Sequence, residues 1–350
     1  MRIAEVAPLI ESVPPVLYGG TERVVAYLTD ELVAQGHDVT LFASGDSRTT
    51  ATLVPICPRS LRLDPDCRDQ LAWHVIMTEL VAARAEDFDI IHFHIAPIHF
   101  PLARRLGVPH VTTLHGRLDL PELVPLFNLF DDVPIISISD AQRAPLPQAN
   151  WLATIHHGLP DGLFDFHPHA GGYLAFLGRI SPEKRVDRAI AIATRLGWPL
   201  KIAAKVDRAD AEYFEREIRP LLDHPLVEFV GEIGEAEKDA FLGAARALLF
   251  PIDWPEPFGL VMIESLACGT PIVAFRGGSV EEVVEDGLTG FIVDSLEEAI
   301  DATSRVDAID RCACRNAFER RFSVRRMAED HVAQYARAIE ACAGRAATAV

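Results

Sequence analysis

Hydrophobic positions along the chain fall into two alternating patterns. Short apolar runs of strand length recur, beginning with RIAEVA (2–7), DVTLFA (38–43), DIIHFH (89–94), residues 109–114, PIISIS (134–139) and residues 151–155. Between them lie stretches with a helical period. In residues 22–35, Val24, Val25, Leu28, Leu32 and Val33 share one face; Thr21 is placed to cap this helix and Gly36 to end it. Further helices are expected over 66–84 and around 98–106, with a short one capped by Ser139 or Asp140. The proline- and serine-rich residues 47–65 read as an irregular excursion.

The alternation resumes after a linker. Residues 156–172 (HHGLPDGLFDFHPHAGG) are rich in Gly, Pro and His and show no period. Strands are then expected at 173–177, 200–203, 227–230, 247–251 and 271–275. Helices are expected from about 184, over 209–222, 235–244, 258–268, 296–306 and 310–320, and last over 322–340. Strand, loop, helix, strand is the signature of doubly wound parallel sheets, which bind ligands at the carboxyl ends of their strands. Gly19-Gly20 sits at such an end, just before a helix, although no GxGxxG fingerprint is present.

With 350 residues, two domains with substantial cores are accommodated. Hydrophobic residues make up 49 %, which excludes disorder, and no apolar run is long enough to span a membrane. The opening residues do not have the pattern of a signal peptide, so a cytoplasmic protein is expected. Six scattered cysteines match neither a zinc knuckle nor a redox motif, and reduced thiols are expected. The net charge of −18 argues against nucleic acid as a partner. Residues 1–168 have no lysine and 11 Arg against 21 Asp plus Glu (11 − 21 = −10), so no strong membrane docking is expected and a soluble acceptor is favoured.

The most informative stretch is 250–278, FPIDWPEPFGLVMIESLACGTPIVAFRGG. It reads as strand, proline-broken loop, helix and strand. Glu256 lies in the loop and Glu264 on the helix. Phe258, Gly259 and Leu260 are expected to present the first open backbone N–H groups of the helix, an anion site through the helix dipole. Gly259 lets a ligand approach the backbone. Glu264 lies among Ile263, Leu266 and Ala267, and a buried carboxylate needs donors, which ribose hydroxyls would supply. The stretch thus reads as a polar cup for a phosphorylated, hydroxyl-rich ligand. Upstream, GRISPEKRVDRAI places Arg179 and Lys184 just after a strand, where two cations suit a diphosphate.

Glu256-x7-Glu264 in the setting EPFGLVMIE, with SLACGTPIVAF and DGLTGFIVD after it and GR-x4-K before it, resembles the retaining glycosyltransferases of family 4. The resemblance implies the GT-B fold, an α/β arrangement of two Rossmann-like parallel-sheet domains facing a cleft. Residues 1–168 would form the acceptor-side domain and 169–325 the nucleotide-sugar domain, with 326–350 packing back on the first. The activity implied is transfer of a hexosyl group from a nucleoside-diphosphate sugar to an acceptor hydroxyl with retention. By the same resemblance Arg179 and Lys184 hold the donor phosphates, Glu256 the sugar hydroxyls and Glu264 the ribose. Gly19 and Gly20 face the phosphates and acceptor, and His115, in TLHG at a strand end, contacts the donor sugar. Arg185 stands where the family commonly has glycine.

Five histidines between 92 and 115 invite a metal reading, but no Cys, Asp or Glu completes a set at ligand spacing, and satisfied, partly buried rings are expected for His92, His94, His99 and His110. Asp87-x-Asp89 reads as a solvated turn. No cofactor and no metal are expected, because fixed cations can take the phosphate charge. A nucleotide-sugar epimerase of the same fold and a non-catalytic sugar-nucleotide binding module are the alternatives.

Overall fold

A computed structural model describes residues 1–348, the side chains after 344 excepted. The backbone divides into two compact units, Met1–Gly158 together with the C-terminal segment from Val324, and Leu159–Ser323. The boundary expected after 168 therefore lies at 158. Residues 159–168 are tied into the second unit: Leu159 N–H donates to Phe322 O (2.9 Å), Asp165 N–H to the Asp239 carboxylate (2.8 Å) and His167 N–H to Cys268 O (3.0 Å). The C-terminal segment starts at Val324 rather than 326, and residues 349 and 350 lie outside the described residues.

The first unit is built on seven strands: β1 (Arg2–Val6), β2 (Asp38–Ala43), β3 (Thr52–Pro55), β4 (Ile90–Phe93), β5 (His110–Thr113), β6 (Ile135–Ser137) and β7 (Trp151–Thr154). Their order is β3-β2-β1-β4-β5-β6-β7, and every pair is parallel. Parallel strands require crossovers, which put helices on the sheet faces and bury its centre. Thus β2 after Asp38 and all of β4 are buried. The stretch expected to be irregular contains β3. It is an edge strand, half-exposed and ending in Pro55, which an edge tolerates.

The C-terminal helix Val324–Thr348 packs against β4, β5 and the helix Gly20–Ala34. Its anchor is Tyr335, fully buried. The Tyr335 hydroxyl donates to Glu5 Oε1 (3.0 Å) on β1 and lies 2.7 Å from His92 Nδ1. His92 Nε2 meets Thr113 Oγ1 at 2.7 Å, and His94 Nε2 meets Glu5 Oε2 at 2.7 Å. Glu5, His92 and His94 are essentially without solvent contact. Burial opposes ionisation of Glu5, but its histidine neighbours outweigh that and hold the carboxyl well below its ordinary range.

The second unit has six strands: β8 (Tyr173–Ile180), β9 (Leu200–Val206), β10 (Val227–Gly231), β11 (Ala245–Phe250), β12 (Ile272–Phe275) and β13 (Gly290–Val293). The order is β10-β9-β8-β11-β12-β13, again all parallel. β8 runs further than expected, so Arg179 lies in the strand, in register with Lys205 of β9. The helix expected over 209–222 is broken into short pieces: a 3-10 turn (Arg208–Asp210), one α-turn (Ala211–Tyr213), a π-turn (Phe214–Ile218) and a 3-10 turn (Arg219–Leu221). Pro220 has no N–H to continue a regular ladder and crowds the preceding turn.

Arg185 is the described non-glycine residue with positive φ (52°) and precedes the helix Val186–Leu196. Its guanidinium is braced by Asp187 (2.8 Å) and by Asp253 (2.8 Å). The left-handed conformation costs a side chain about 1–2 kcal/mol relative to glycine. Arg185→Ala keeps that cost and loses the bracing. We predict that Arg185→Gly is more stable than Arg185→Ala by about 1 kcal/mol in denaturant melts. Equal midpoints would show that the turn carries no such strain.

The buried histidines make stability depend on pH. Burial pushes His94 and His331 down to about 4 and His99 to about 3, from an ordinary 6.5. The unfolded chain then takes up protons below pH 6.5 while the folded rings stay neutral until about 4 for His94 and His331. Each such ring lowers stability by up to about 1.4 kcal/mol per pH unit in that window. The depressed Glu5 adds loss of the same sign at lower pH, where the unfolded carboxyl protonates first. The melting temperature is expected to fall steadily from pH 6.5 toward 4.5; a flat profile there would contradict neutral burial.

Candidate functional site

All six strands of the second unit run the same way, so their carboxyl ends share one edge. Loops from three of them meet there. The loop after β8 carries Ser181–Arg185 and the loop after β11 carries Pro251–Gly259. Asp253 N–H donates to Glu183 O (2.8 Å), and Arg188 reaches Pro251 O and Ile252 O (3.3 and 3.2 Å). The third loop, Gly277-Gly278-Ser279 after β12, clamps the backbone of the second. A Cβ on Gly278 would lie 2.1 Å from Glu256 O, and one on Gly277 would lie 2.9 Å from Trp254 O. Ser279 N–H donates to Glu256 O (2.9 Å) and its hydroxyl to Phe258 O (2.8 Å). Only glycines admit this approach.

The clamp fixes Glu256, which is 8 % exposed. Its Oε2 accepts from Lys184 Nζ and from Trp254 Nε1–H (2.9 Å). Lys184 also lies over the rings of Trp254 (5.1 Å) and Phe250 (5.7 Å). Lys184 and Glu256, 72 residues apart in sequence, thus form one cluster. The helix begins at Leu260, not Phe258, and runs to Ala267. Gly259 precedes it with φ 76°, packed so that a Cβ would sit 2.9 Å from Met262 Cε. Its first-turn N–H groups are therefore those of Leu260 and Val261, and no side chain caps them. Phe258 is instead a buried anchor, its ring edge-on to Phe322 at 6.2 Å.

Glu264 is 2 % exposed, as its apolar neighbours implied. The donor it receives in the structure is Lys238 Nζ, at 2.6 Å from Oε1. Arg179 is surrounded by carboxylates: Glu183 at 2.5 Å, Asp207 and Asp210 each at 3.7 Å. Lys205 meets Asp207 at 3.0 Å. Burial, reinforced by Glu183 and Asp207, raises the Asp210 carboxyl above its ordinary value, while Arg179 opposes the rise. The geometry offers fixed cations, held carboxylates and an uncapped helix start on one strand edge.

The first unit carries the other expected site residues. Gly19 caps the helix Gly20–Ala34 in place of Thr21, and a Cβ there would lie 2.8 Å from Pro15 Cβ. Gly20 is exposed, and no side chain caps this helix start. His115 follows β5. Its Nε2 lies 2.9 Å from His94 Nδ1, its ring stacks on His157 (5.3 Å, 15°), and its Nδ1 is buried with no partner. Burial holds its pKa well below the ordinary value.

The absence of a carboxylate at ligand spacing from His92 and His94 is corrected in space, because Glu5 comes from the adjacent strand. These three residues bring ligand atoms within 4.8 Å of one another. Their atoms are engaged by Tyr335, Thr113, His115 and each other, so the cluster is a closed hydrogen-bond network. Asp87 pairs with Arg84 and Asp89 with Arg2, consistent with a structural turn.

Several residues of these clusters had no local sequence signal. Lys238 and Glu5 reach their partners only through the fold. Trp254 is recognisable only by its neighbour Glu256, and Gly277-Gly278 by a glycine pair directly after a strand.

Comparison with known proteins gives two family matches. Residues 166–312 match the model of glycosyl transferases group 1, and residues 18–196 match Glycosyltransferase Family 4. Glycogen synthase of Mycobacterium tuberculosis is 28 % identical over 330 residues, covering 79 % of each chain. D-inositol 3-phosphate glycosyltransferase of Acidothermus cellulolyticus is 25 % identical over 341 residues, covering 80 % of this chain and 76 % of its own. Among solved structures, AviGT4, a glycosyltransferase involved in avilamycin A biosynthesis, superposes with a TM-score of 0.73 at 25 % identity, covering 97 % and 98 % of the two chains. Anabaena HepE, in complex with UDP and glucose, gives 0.75 at 18 % identity over 96 % and 99 %. The sheet topology of each unit and these matches define a GT-B fold, and the chain belongs to Glycosyltransferase Family 4.

Proposed function

We propose that this glycosyltransferase moves a hexosyl group from a nucleoside-diphosphate sugar to the hydroxyl of a soluble acceptor, with retention and without a metal ion. The observation that carries the reading is the Lys184–Glu256–Trp254 cluster beside the uncapped helix start after Gly259. A diphosphate leaving an anomeric carbon gains negative charge on its distal phosphate. Catalysis requires that this charge be stabilised more than the ground-state donor. Lys184, Arg179 and the Leu260 and Val261 N–H groups are proposed to do this in the second unit, with the Gly19-Gly20 helix start contributing from the first.

Glu256, held at its backbone by Ser279, is proposed to accept from sugar hydroxyls and Glu264 from the ribose, alongside the lysines that already pair with them. His115 is proposed to contact the donor sugar. The UDP named with HepE supports a nucleotide donor for this fold. Retention follows the family; the leaving phosphate is proposed to take the acceptor proton on the same face. No helix among the described residues is long and apolar enough to cross a membrane. The helix Gln70–Ala83 does expose Leu71, Val75, Ile76 and Leu80, but it contains no lysine or arginine to draw it to an anionic surface.

Lys184→Ala and Arg179→Ala are each expected to lower kcat about 100-fold, the scale of losing one preorganised charge-stabilising donor. Arg179→Ala also leaves three carboxylates facing an incoming phosphate. Normal turnover in both variants would remove the phosphate assignment. Dialysis against EDTA is expected to leave transfer rates unchanged. A strict requirement for added Mg²⁺ or Mn²⁺ would overturn the metal-free reading.

A further inference from the structure

The buried polar chain in the first unit has a direction, and the direction follows from one premise. An ionised carboxylate accepts hydrogen bonds and cannot donate them. Glu5 Oε2 lies 2.7 Å from His94 Nε2, so that nitrogen carries the proton. His94 is neutral, because burial pushes it down to about 4, so its Nδ1 is a bare lone pair. His115 Nε2 lies 2.9 Å from that lone pair and must therefore donate. His115 is also neutral, which leaves its Nδ1 bare. That atom is buried and unpartnered. The other oxygen of Glu5 accepts from Tyr335 (3.0 Å), and the His92 pairings with Tyr335 and Thr113 fit the same polarity.

We propose that Glu5 and His94 are positioning residues that lock His115 in the Nε2–H tautomer, so that its Nδ1 accepts a hydrogen bond from a free hydroxyl of the donor sugar. The inference rests on the reading of His115 as the residue that meets that sugar. It adds a specificity rule: at this position the donor must carry a hydroxyl able to give its proton, and a deoxygenated or O-alkylated sugar loses the contact. It also gives Tyr335 a role beyond packing. By satisfying the second oxygen of Glu5, it supports the charge that sets the polarity.

The test is nitrogen-15 NMR of the full chain labelled at histidine, at pH 7.5, with His115→Ala used to assign its signals. The expected result is a protonated Nε2 and an unprotonated Nδ1 on His115. A proton on Nδ1, or an even mixture of tautomers, overturns the proposal, and the tautomer itself is read on the wild-type chain. Glu5→Gln, whose amide can donate to His94, is expected to populate the Nδ1–H form of His115 and to lower kcat about tenfold, the scale of one neutral hydrogen bond. An unchanged His115 tautomer in folded Glu5→Gln also overturns the assignment to Glu5. The underlying reading fails separately. If His115→Ala transfers sugar at the normal rate, the donor contact is wrong even where the tautomer is as derived.

Discussion

A buried, ionised carboxylate can only accept hydrogen bonds, so each one obliges the fold to bring donors to it. Three such groups organise this chain. Glu5 lies on β1, inside the first unit's sheet, and takes its donors from His94, just after β4, and from Tyr335 on the C-terminal helix. That helix follows the whole second unit in sequence, yet it belongs to the first, where its buried Tyr335 completes the polar network on Glu5 and His92 and its buried His331 packs against the His92 ring. Glu256 takes Lys184 and Trp254, and Glu264 takes Lys238. Removing one partner of such a pair leaves an uncompensated buried charge, typically a loss of about 3–5 kcal/mol. The pairs therefore constrain sequence strongly even where their net contribution to stability is small.

Their value lies in fixed geometry. A buried ion pair is often no more stabilising than apolar residues of the same shape. Lys184 is nonetheless held from several directions: by Glu256, and over the faces of Trp254 and Phe250. Glu256 is itself fixed by a backbone that the Gly277-Gly278-Ser279 loop grips without room for a Cβ. A cation that does not have to reorganise when charge develops beside it stabilises that charge more effectively than a mobile one. Arg179 is set differently, among Glu183, Asp207 and Asp210, so a phosphate reaching it must share the guanidinium with carboxylates.

Much of this was legible in the sequence because it is local. Alternating strand and helix periods gave both parallel sheets, and the spacing of Glu256 and Glu264 around a proline-broken loop and a glycine marked the second unit's cluster. What was not legible depended on tertiary neighbours. β3 hid in a polar, proline-bearing stretch because an edge strand needs little hydrophobicity. The 208–221 segment carries helical residues, but Pro220 and its surroundings break the ladder into turns. The start of the helix after Gly259 moved because Phe258 is drawn into the core against Phe322. Arg185 was visible as a departure from glycine, yet only the structure shows two carboxylates bracing it in a left-handed turn. Glu5 lies 89 residues from His94, and no spacing rule connects them.

The direction of the Glu5–His94–His115 chain matters for chemistry because a sugar hydroxyl can either give or take a hydrogen bond. On the proposed reading, a ring losing its diphosphate becomes electron-poor. A hydroxyl that accepted a hydrogen bond from an N–H would lose electron density to it and resist that change. One that donates to a bare nitrogen gains density on oxygen and tolerates the developing positive charge better. The difference is small in the ground state and grows with the charge, which is the condition for an interaction to raise kcat rather than only to tighten binding. A carboxylate two residues removed from the substrate can thus bias the transition state through the tautomers between them, without touching the sugar.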